Sequence, residues 1–390
     1  MRANSKKPPK RLGLHEPLFE GNEWRYLKEC VDTAWVSSAG AFVTRFEEAV
    51  AARTGTRHAV ALVNGTAALH LALEGAGVRR GDEVLVPSLT FIATANAAVY
   101  LGARPRFVDS EEGTLGMDPE ALEEYLRNGT TTAYGKRMDK GTRRRIGGCV
   151  PMHTLGHPAQ IDRICELGRR YGIPVIEDAA ESLGSSYKGK PMGSWGLAGV
   201  LSFNGNKILT TGGGGMVVTD DARLAARVRH LSTQAKSDPD AYRHDAVGYN
   251  YRLPNINAAL GLAQLERLDR LLERKRRIAE WYREELKAVG DARLIWEPSG
   301  ARSNFWLNTV RLPPVRARRA LLRLAQDNIE ARPLWTPCHR QSIFRPILTA
   351  GPLTTADRLW RESVSLPSSA GLTRAEVRRV VRGLALEAHP

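Results

Sequence analysis

The sequence predicts an α/β protein: a large α/β/α domain on a mostly parallel seven-stranded sheet, followed by a small C-terminal α+β domain. Three observations carry this expectation. From about Arg57 to Thr219 short β-branched runs alternate with helical stretches, the signature of βαβ units. A long helical pattern over 255–290 then gives way to mixed strand and helix. Finally, 390 residues, 42% hydrophobic and 25% charged, suffice for a sizeable core and a second, smaller domain.

The seven candidate strands are "HAVALV" (58–63), "EVLVP" (83–87), "RPRFVD" (104–109), "IGGCVP" (146–151), "IPVIED" (173–178), "GVLSF" (199–203) and "MVVT" (216–219). Segment 127–145, "RNGTTTAYGKRMDKGTRRR", is polar and turn-rich and is expected to be an exposed insertion. After the long helical pattern, "NFWLNTVRL", a helix through 315–327 and "IEARPLW" build the smaller domain. Thr373 is expected to cap its closing helix, "TRAEVRRVVRGLALEA". The expected limits are 1–20 for a mobile N-terminal arm, 21–265 for the large domain and 266–390 for the small one.

Several function classes drop out. No run approaches membrane-spanning length, and "MRANSKKPPKRLG" lacks the apolar core of a secretory signal, so a cytoplasmic protein is expected. The four cysteines lie far apart with no C-x-x-C pair, which points to neither a disulfide framework nor a metal site. A net charge of +15 could suit nucleic acid, an anionic membrane or a phosphorylated substrate. Because the arginines are scattered through helices such as "VRARRALLRLAQD" and "RLDRLLERKRR", solvated helix faces account for the charge, and nucleic acid is not an expected partner.

In an open α/β sheet, ligands bind beyond the carboxyl ends of the strands. After "HAVALV", Asn64 to Thr66 open a helix whose free N–H groups suit a phosphate, although an ordinary N-cap reads the same. After "IPVI" come Glu177 and Asp178, acids that could equally cap a helix. One crossover later, after "GVLSF", comes Lys207. Phe91 opens a helix after "EVLVP", where it could pack in the core or stack on a flat ring. Each signal is weak alone. Together they supply the amine, the acid, the stacking aromatic and the phosphate cup that a pyridoxal phosphate site needs. In that reading Asp178 keeps the pyridine nitrogen protonated, while Lys207 holds the cofactor and shuttles protons once displaced. The glycines at 212–215 would let backbone pass close to the cofactor, with a flexible hairpin turn as the plain alternative.

The stretches "NGTAALHLAL", "GDEVLVPSLTFIATANA", "PVIEDAAESLGSSYKGK", "SFNGNKILTTGGGGMVVTDD" and "GYNYRLPNINAALGLAQL" closely resemble the nucleotide-sugar aminotransferases of the DegT/DnrJ/EryC1/StrS family. The resemblance covers nearly the whole chain. "LHEPLFEGNEWRYLKECVDTAWVSSAG", "VPMHTLGHP" and "ARPLWTPCHRQ" are similar to the aminotransferases of legionaminic acid and bacillosamine pathways. What the resemblance implies is a pyridoxal-phosphate fold type I (aspartate aminotransferase-like) enzyme. It would move the amino group of L-glutamate onto a nucleotide-linked 4-keto-6-deoxy sugar, with UDP-2-acetamido-2,6-dideoxy-hexos-4-ulose as the implied acceptor.

By the same resemblance Lys207 is the lysine that holds the cofactor covalently, Asp178 the partner of the pyridinium nitrogen and Phe91 the stacking aromatic. Glu181 would lie near the cofactor's phenolic oxygen, where many relatives carry glutamine. Gly65, Thr66, Ala67 and Ser202 would contact the phosphate, joined by Asn250 from a second subunit, so the active unit would be a homodimer with shared sites. Gly213 stands where most of the family has glutamate in "TTGEGG", a departure the subgroup shares. Arg252 is a candidate for the substrate diphosphate, and Trp335 and His339 for the sugar pocket; a surface arginine, a core tryptophan and a satisfied histidine are their plain alternatives. A sugar 3-dehydratase is the rival within the fold, and Lys207 argues against it because those relatives carry histidine there. A non-catalytic regulator that keeps the fold is opposed by the intact lysine, aspartate and phosphate cup.

Overall fold

In the computed structural model, residues 10–238 and 240–385 are described. All seven predicted strands form: β1 His58–Leu62, β2 Glu83–Pro87, β3 Arg104–Val108, β4 Ile146–Cys149, β5 Ile176–Asp178, β6 Ala198–Ser202 and β7 Gly215–Thr219. They lie in two ladders, β1-β7-β6-β5 and β4-β2-β3. Parallel bridges Cys149↔Val175 and Met152↔Asp178 join the ladders into one wall. The pairs β2–β3, β2–β4 and β5–β6 are parallel, whereas β7 runs antiparallel to both its neighbours. A sheet that buries every residue of β2 and β7 must be covered on both faces, as parallel sheets are.

Alternation along β1 shows how the layers are built. Val60 and Leu62 pack with Leu69, Leu73, Ala95 and Val228 of the helices Gly65–Gly75, Ile92–Tyr100 and Ala222–Ser232. Ala59 and Ala61 point the other way, to Phe46, Val50, Ala259 and Leu262 of the helices Ala41–Thr54 and Asn255–Leu265. A second core gathers Ile278, Tyr282, Leu324, Val377 and Val380 from three later helices. These cover a four-stranded antiparallel sheet of Arg293–Leu294, Asn308–Arg311, Ser363–Leu366 and Arg332–Pro333.

Four features differ from the sequence expectation. The helical pattern over 255–290 forms two helices, Asn255–Leu265 and Leu268–Glu285, because the first packs in the large-sheet core and the second in the other. The N-terminal arm is docked from Lys10 onward: Leu12 is buried in the second core, its N–H donates to Asn328 O at 3.1 Å, and Glu330 N donates to its carbonyl at 2.8 Å. Residues 1–9 lie outside the described residues. Segment 127–145 is a hairpin of Thr130–Ala133 and Lys136–Asp139 with Tyr134 fully exposed at its tip, yet its base is tied in, since Asp139 is buried and accepts from Tyr125 Oη at 2.9 Å. Finally, Cys338 and Phe344 return to the main core, and Leu348–Thr349 adds a short parallel strand beside β3.

The closing helix Arg374–Ala385 begins as expected. Glu376 N donates to Thr373 Oγ1 at 3.3 Å and Thr373 N to Glu376 Oε2 at 2.9 Å, a reciprocal capping box. All four cysteines are buried and unpaired. Among the described residues, no helix is long and apolar enough to cross a membrane, and no group of three or more acidic, histidine or cysteine side chains could hold a metal.

Candidate active site

A cavity of about 290 Å³ opens at the carboxyl ends of β5 and β6. Its floor starts from Asn64, which caps the helix Gly65–Gly75 by accepting from Ala67 N at 2.8 Å. The N-cap alternative therefore holds, and it leaves something over. The N–H groups of Gly65 and Thr66 have no acceptor among the described residues, and both residues line the cavity. Ser202, the last residue of β6, lines it beside them. A Cβ on Gly65 would lie 3.0 Å from Ser202 Cβ, so only glycine fits there easily.

The glycine tract shapes this cup from behind. A Cβ on Gly215 would sit 2.4 Å from the Asn64 carbonyl carbon and 2.6 Å from Gly65 N, so β7 can pass the helix start only as glycine. None of residues 212–215 lines the cavity itself; the close backbone approach they allow is to the helix start behind it. Gly212, with φ +78°, supplies the turn before β7. Ala67 departs from its implied contact: it lies outside the lining and its amide is taken by the Asn64 cap.

Asp178 ends β5 inside the cavity. Its Oδ2 accepts from Thr94 Oγ1 at 2.7 Å and its Oδ1 from Ala180 N at 3.2 Å. Burial holds this carboxyl above its ordinary range, against the pull of those donors and of Lys207. Glu177, one residue earlier, accepts from the N–H groups of Gly193, Trp195 and Gly196 and lies 3.0 Å from His153 Nε2. Alternation along the strand thus separates an anchoring acid from one that faces the cavity. Phe91, the N-cap residue of Ile92–Tyr100, is 49% exposed and meets Trp335 edge-on with ring centroids 6.1 Å apart, so it is not a core residue.

Lys207 follows β6 on a loop held by its own N–H to Asn204 O at 3.0 Å. Its Nζ lies 3.2 Å from Glu181 Oε1 and 4.0 Å from the centroid of the Trp306 ring. Glu181 Oε2 accepts from Leu155 N at 2.8 Å. Burial raises the Glu181 carboxyl to about 7, although Lys207 pulls it down. Trp306 is fixed in turn by its Nε1 donating to Asn206 O at 2.6 Å. A second cavity, of about 680 Å³, adjoins the first and shares Asn206, Trp306 and Trp335 with it.

The structure thus brings together Gly65, Thr66, Phe91, Asp178, Glu181, Ser202, Lys207 and Trp335. Three other candidates lie outside the cavity. Arg252 is part-buried and donates from Nη1 to Glu47 Oε1 at 2.5 Å and to Ala61 O at 2.9 Å, a pairing within its own chain. His339 is satisfied, its Nδ1 2.6 Å from Ser88 Oγ and its Nε2 3.3 Å from Asp357 Oδ1. Asn250 is exposed, paired by a backbone bridge with Thr233, and is not among the residues lining its own chain's cavity. Thr94, Asn206 and Trp306 went unread in the sequence. Thr94 in "FIAT" carries a weak signal, a hydroxyl three residues into a helix that starts at a strand end; Trp306 arrives from far along the chain.

This donor set fits pyridoxal phosphate. Two unaccepted N–H groups and a hydroxyl, at a helix start, suit its phosphate; a buried carboxylate suits its ring nitrogen; an amine and an exposed aromatic complete the site. Fold and site together define a pyridoxal phosphate enzyme of fold type I. The chain belongs to the DegT/DnrJ/EryC1/StrS aminotransferase family, whose model matches residues 18–385. It is a pyridoxal phosphate-dependent aminotransferase.

Among its relatives, EpsN of Bacillus subtilis (strain 168) is 41% identical over 383 residues, 96% of this chain and 95% of that protein. The GDP-perosamine synthase of Caulobacter vibrioides is 40% identical over 380 residues, 96% and 97% of the two chains. Among solved structures, DesI in the presence of its TDP-sugar product superposes with a TM-score of 0.85 at 30% identity, covering 96% of this chain and 92% of that one.

Proposed function

We propose that this enzyme transfers the amino group of L-glutamate to a nucleotide-linked 4-keto-6-deoxy sugar, with UDP-2-acetamido-2,6-dideoxy-hexos-4-ulose as the acceptor, in the synthesis of a bacterial surface glycan or nonulosonic acid. The observation that carries the reading is the convergence of Lys207, Asp178, Phe91 and the Gly65–Thr66–Ser202 cup on one cavity. When bound, pyridoxal phosphate supplies an electron-withdrawing ring that takes up the electron pair of a broken Cα–H bond. Lys207 Nζ holds the cofactor and moves the proton at that carbon. Asp178 holds positive charge at the ring nitrogen, steadied by Thr94. Phe91 and Trp335 wall the mouth, and Trp335 and the adjoining cavity receive the sugar.

A GDP-linked acceptor is the second reading, favoured by the relatives named GDP-perosamine synthase in Caulobacter vibrioides and Escherichia coli O157:H7, the latter 38% identical over 369 residues. The proposal includes a homodimer in which Asn250 completes the partner's phosphate cup. Its support is the position of Asn250 outside its own cavity, and the exposure of Trp24 and Trp35 on the surface around the helix Glu23–Asp32. A reducing, cytoplasmic setting agrees with four unpaired thiols. A division of the chain near residue 265 agrees with the change of core at the break between the helices Asn255–Leu265 and Leu268–Glu285.

Two measurements test this. Borohydride reduction followed by peptide mapping should find the cofactor on Lys207; attachment to another lysine overturns the assignment. Incubation with L-glutamate and a panel of UDP-, GDP- and TDP-linked keto sugars, read by mass spectrometry and NMR, should show one amino sugar formed. No amination of any panel member would reject the substrate class.

A further inference from the structure

Lys207 can act as a base only with a free electron pair, so its ammonium proton needs somewhere to go. The cavity contains one group placed to take it. Glu181 Oε1 stands 3.2 Å from Nζ, on a side chain that is 2% exposed. The Trp306 face holds Nζ from the other side. Resting on the proposed function, we propose that Glu181 is a catalytic acid–base partner of Lys207. The proton leaves Nζ and lands on Oε1, giving a neutral amine and a neutral carboxyl; the reverse transfer restores the ion pair. No other reactant is needed.

The surroundings single out Glu181 for this role. Asp178, on β5, is engaged by Thr94 and the Ala180 N–H, and it makes no hydrogen bond to Nζ. His153, behind it, is turned to Glu177. Lys275, from the helix Leu268–Glu285, donates from Nζ to the carbonyls of Trp306 and Ser368. His15, from the N-terminal segment, has both ring nitrogens buried and unpartnered and lines the adjoining cavity. The second oxygen of Glu181 keeps the Leu155 N–H, so protonation of Oε1 costs no existing hydrogen bond except the one to Lys207 itself. Burial raises the carboxyl to about 7, close to neutral pH, which is where an acid–base group works best. A glutamine, with one acceptor oxygen, could keep the Leu155 N–H but not also accept from Lys207 Nζ, and it could not store a proton. That difference is what makes the idea testable.

The experiment compares wild type, Glu181→Gln and Glu181→Asp as cofactor-loaded proteins. In a pH titration of the visible absorbance, the midpoint of Glu181→Gln should fall by about one unit or more, because a carboxylate beside the cationic nitrogen favours its protonated form. With L-glutamate alone, the first half-reaction followed by stopped flow should slow roughly a hundredfold in Glu181→Gln, with partial rescue in Glu181→Asp. If Glu181 only props the Leu155 N–H, Glu181→Gln will keep its midpoint and react within about twofold of wild type, and the proposal falls. Borohydride mapping of the wild type separates the two claims: cofactor on Lys207 with an unchanged Glu181→Gln overturns this inference alone, whereas cofactor elsewhere overturns the function it rests on.

Discussion

Both ends of the large sheet bury charge, but they treat it differently. Near the amino ends of β2 and β3, Arg106 Nε donates to Glu83 Oε2 at 2.6 Å, its Nη1 to Thr349 O at 2.7 Å, and its Nη2 lies 3.2 Å from Asp139 Oδ2. The acids are finished off in turn, Glu83 by Thr142 Oγ1 at 2.6 Å and Asp139 by Tyr125 Oη. At the carboxyl ends of β5 and β6, Asp178 has a hydroxyl and one long amide contact, Lys207 has one carboxylate and a ring face, and two helix-start N–H groups have nothing. Burying ionised groups without full compensation costs free energy. The chain closes that account within itself at one end and leaves it to a ligand at the other. Incomplete solvation, more than charge itself, distinguishes the site from the scaffold.

Substitutions at the two ends should therefore fail in different ways. The largest effect is expected for Lys207→Ala, which should lower amination at least about 10³-fold while the cup still takes up cofactor, as measured by product formation and by absorbance after dialysis. Next comes Arg106→Leu. It strands Glu83 and Asp139, so urea unfolding should show a loss of about 3–5 kcal/mol, with turnover per folded molecule nearly unchanged; a large loss of turnover with stability intact would break the distinction between the ends. Asp178→Asn should raise the barrier by about 3 kcal/mol, roughly a hundredfold in rate, with cofactor retained and little change in unfolding.

The smallest effect sharpens the rule from a third place. His157 is fully buried with neither ring nitrogen bonded, packed edge-on to Phe305, and burial lowers its imidazole to about 4. A histidine depressed in the folded state gives its stability in full above its ordinary value of 6.5, and loses it as pH falls from there toward 4. Over that window the wild type should lose up to about 3 kcal/mol more than His157→Leu, as read by urea unfolding at each pH. Equal losses in the two proteins would show that the imidazole is not kept neutral.

Local pattern made much of this legible. β1 to β7 are short apolar runs between turn signals, and the sheet's directionality follows from the crossovers between them. Lys207, Asp178 and the Asn64–Thr66 cup sit directly after such runs, so reading strand ends found them. Residues whose roles depend on distant partners could not be read that way. Arg252 follows a motif that suggests ligand contact, yet Glu47, about two hundred positions earlier, claims it. Trp306 reaches Lys207 from beyond the long helical region, and nothing local marks it as a wall of the site. The docking of the arm from Lys10 is hidden from local pattern for the same reason: Leu12 and Leu14 are isolated apolar residues after a basic stretch, and the partners of Leu12 are residues 328–330.

The buried thiols open a practical route into the dimer question. Burial raises Cys30, Cys149, Cys165 and Cys338, the last two to about 12, so little reactive thiolate is available at neutral pH. The native protein is therefore expected to react only slowly with maleimide and similar reagents. A single cysteine placed at Tyr134, the 98% exposed hairpin tip, would then carry a dye or spin label at one known position without removing any natural residue from the core. Distances between labels on two copies could be followed directly as the proposed amino donor and acceptor are added.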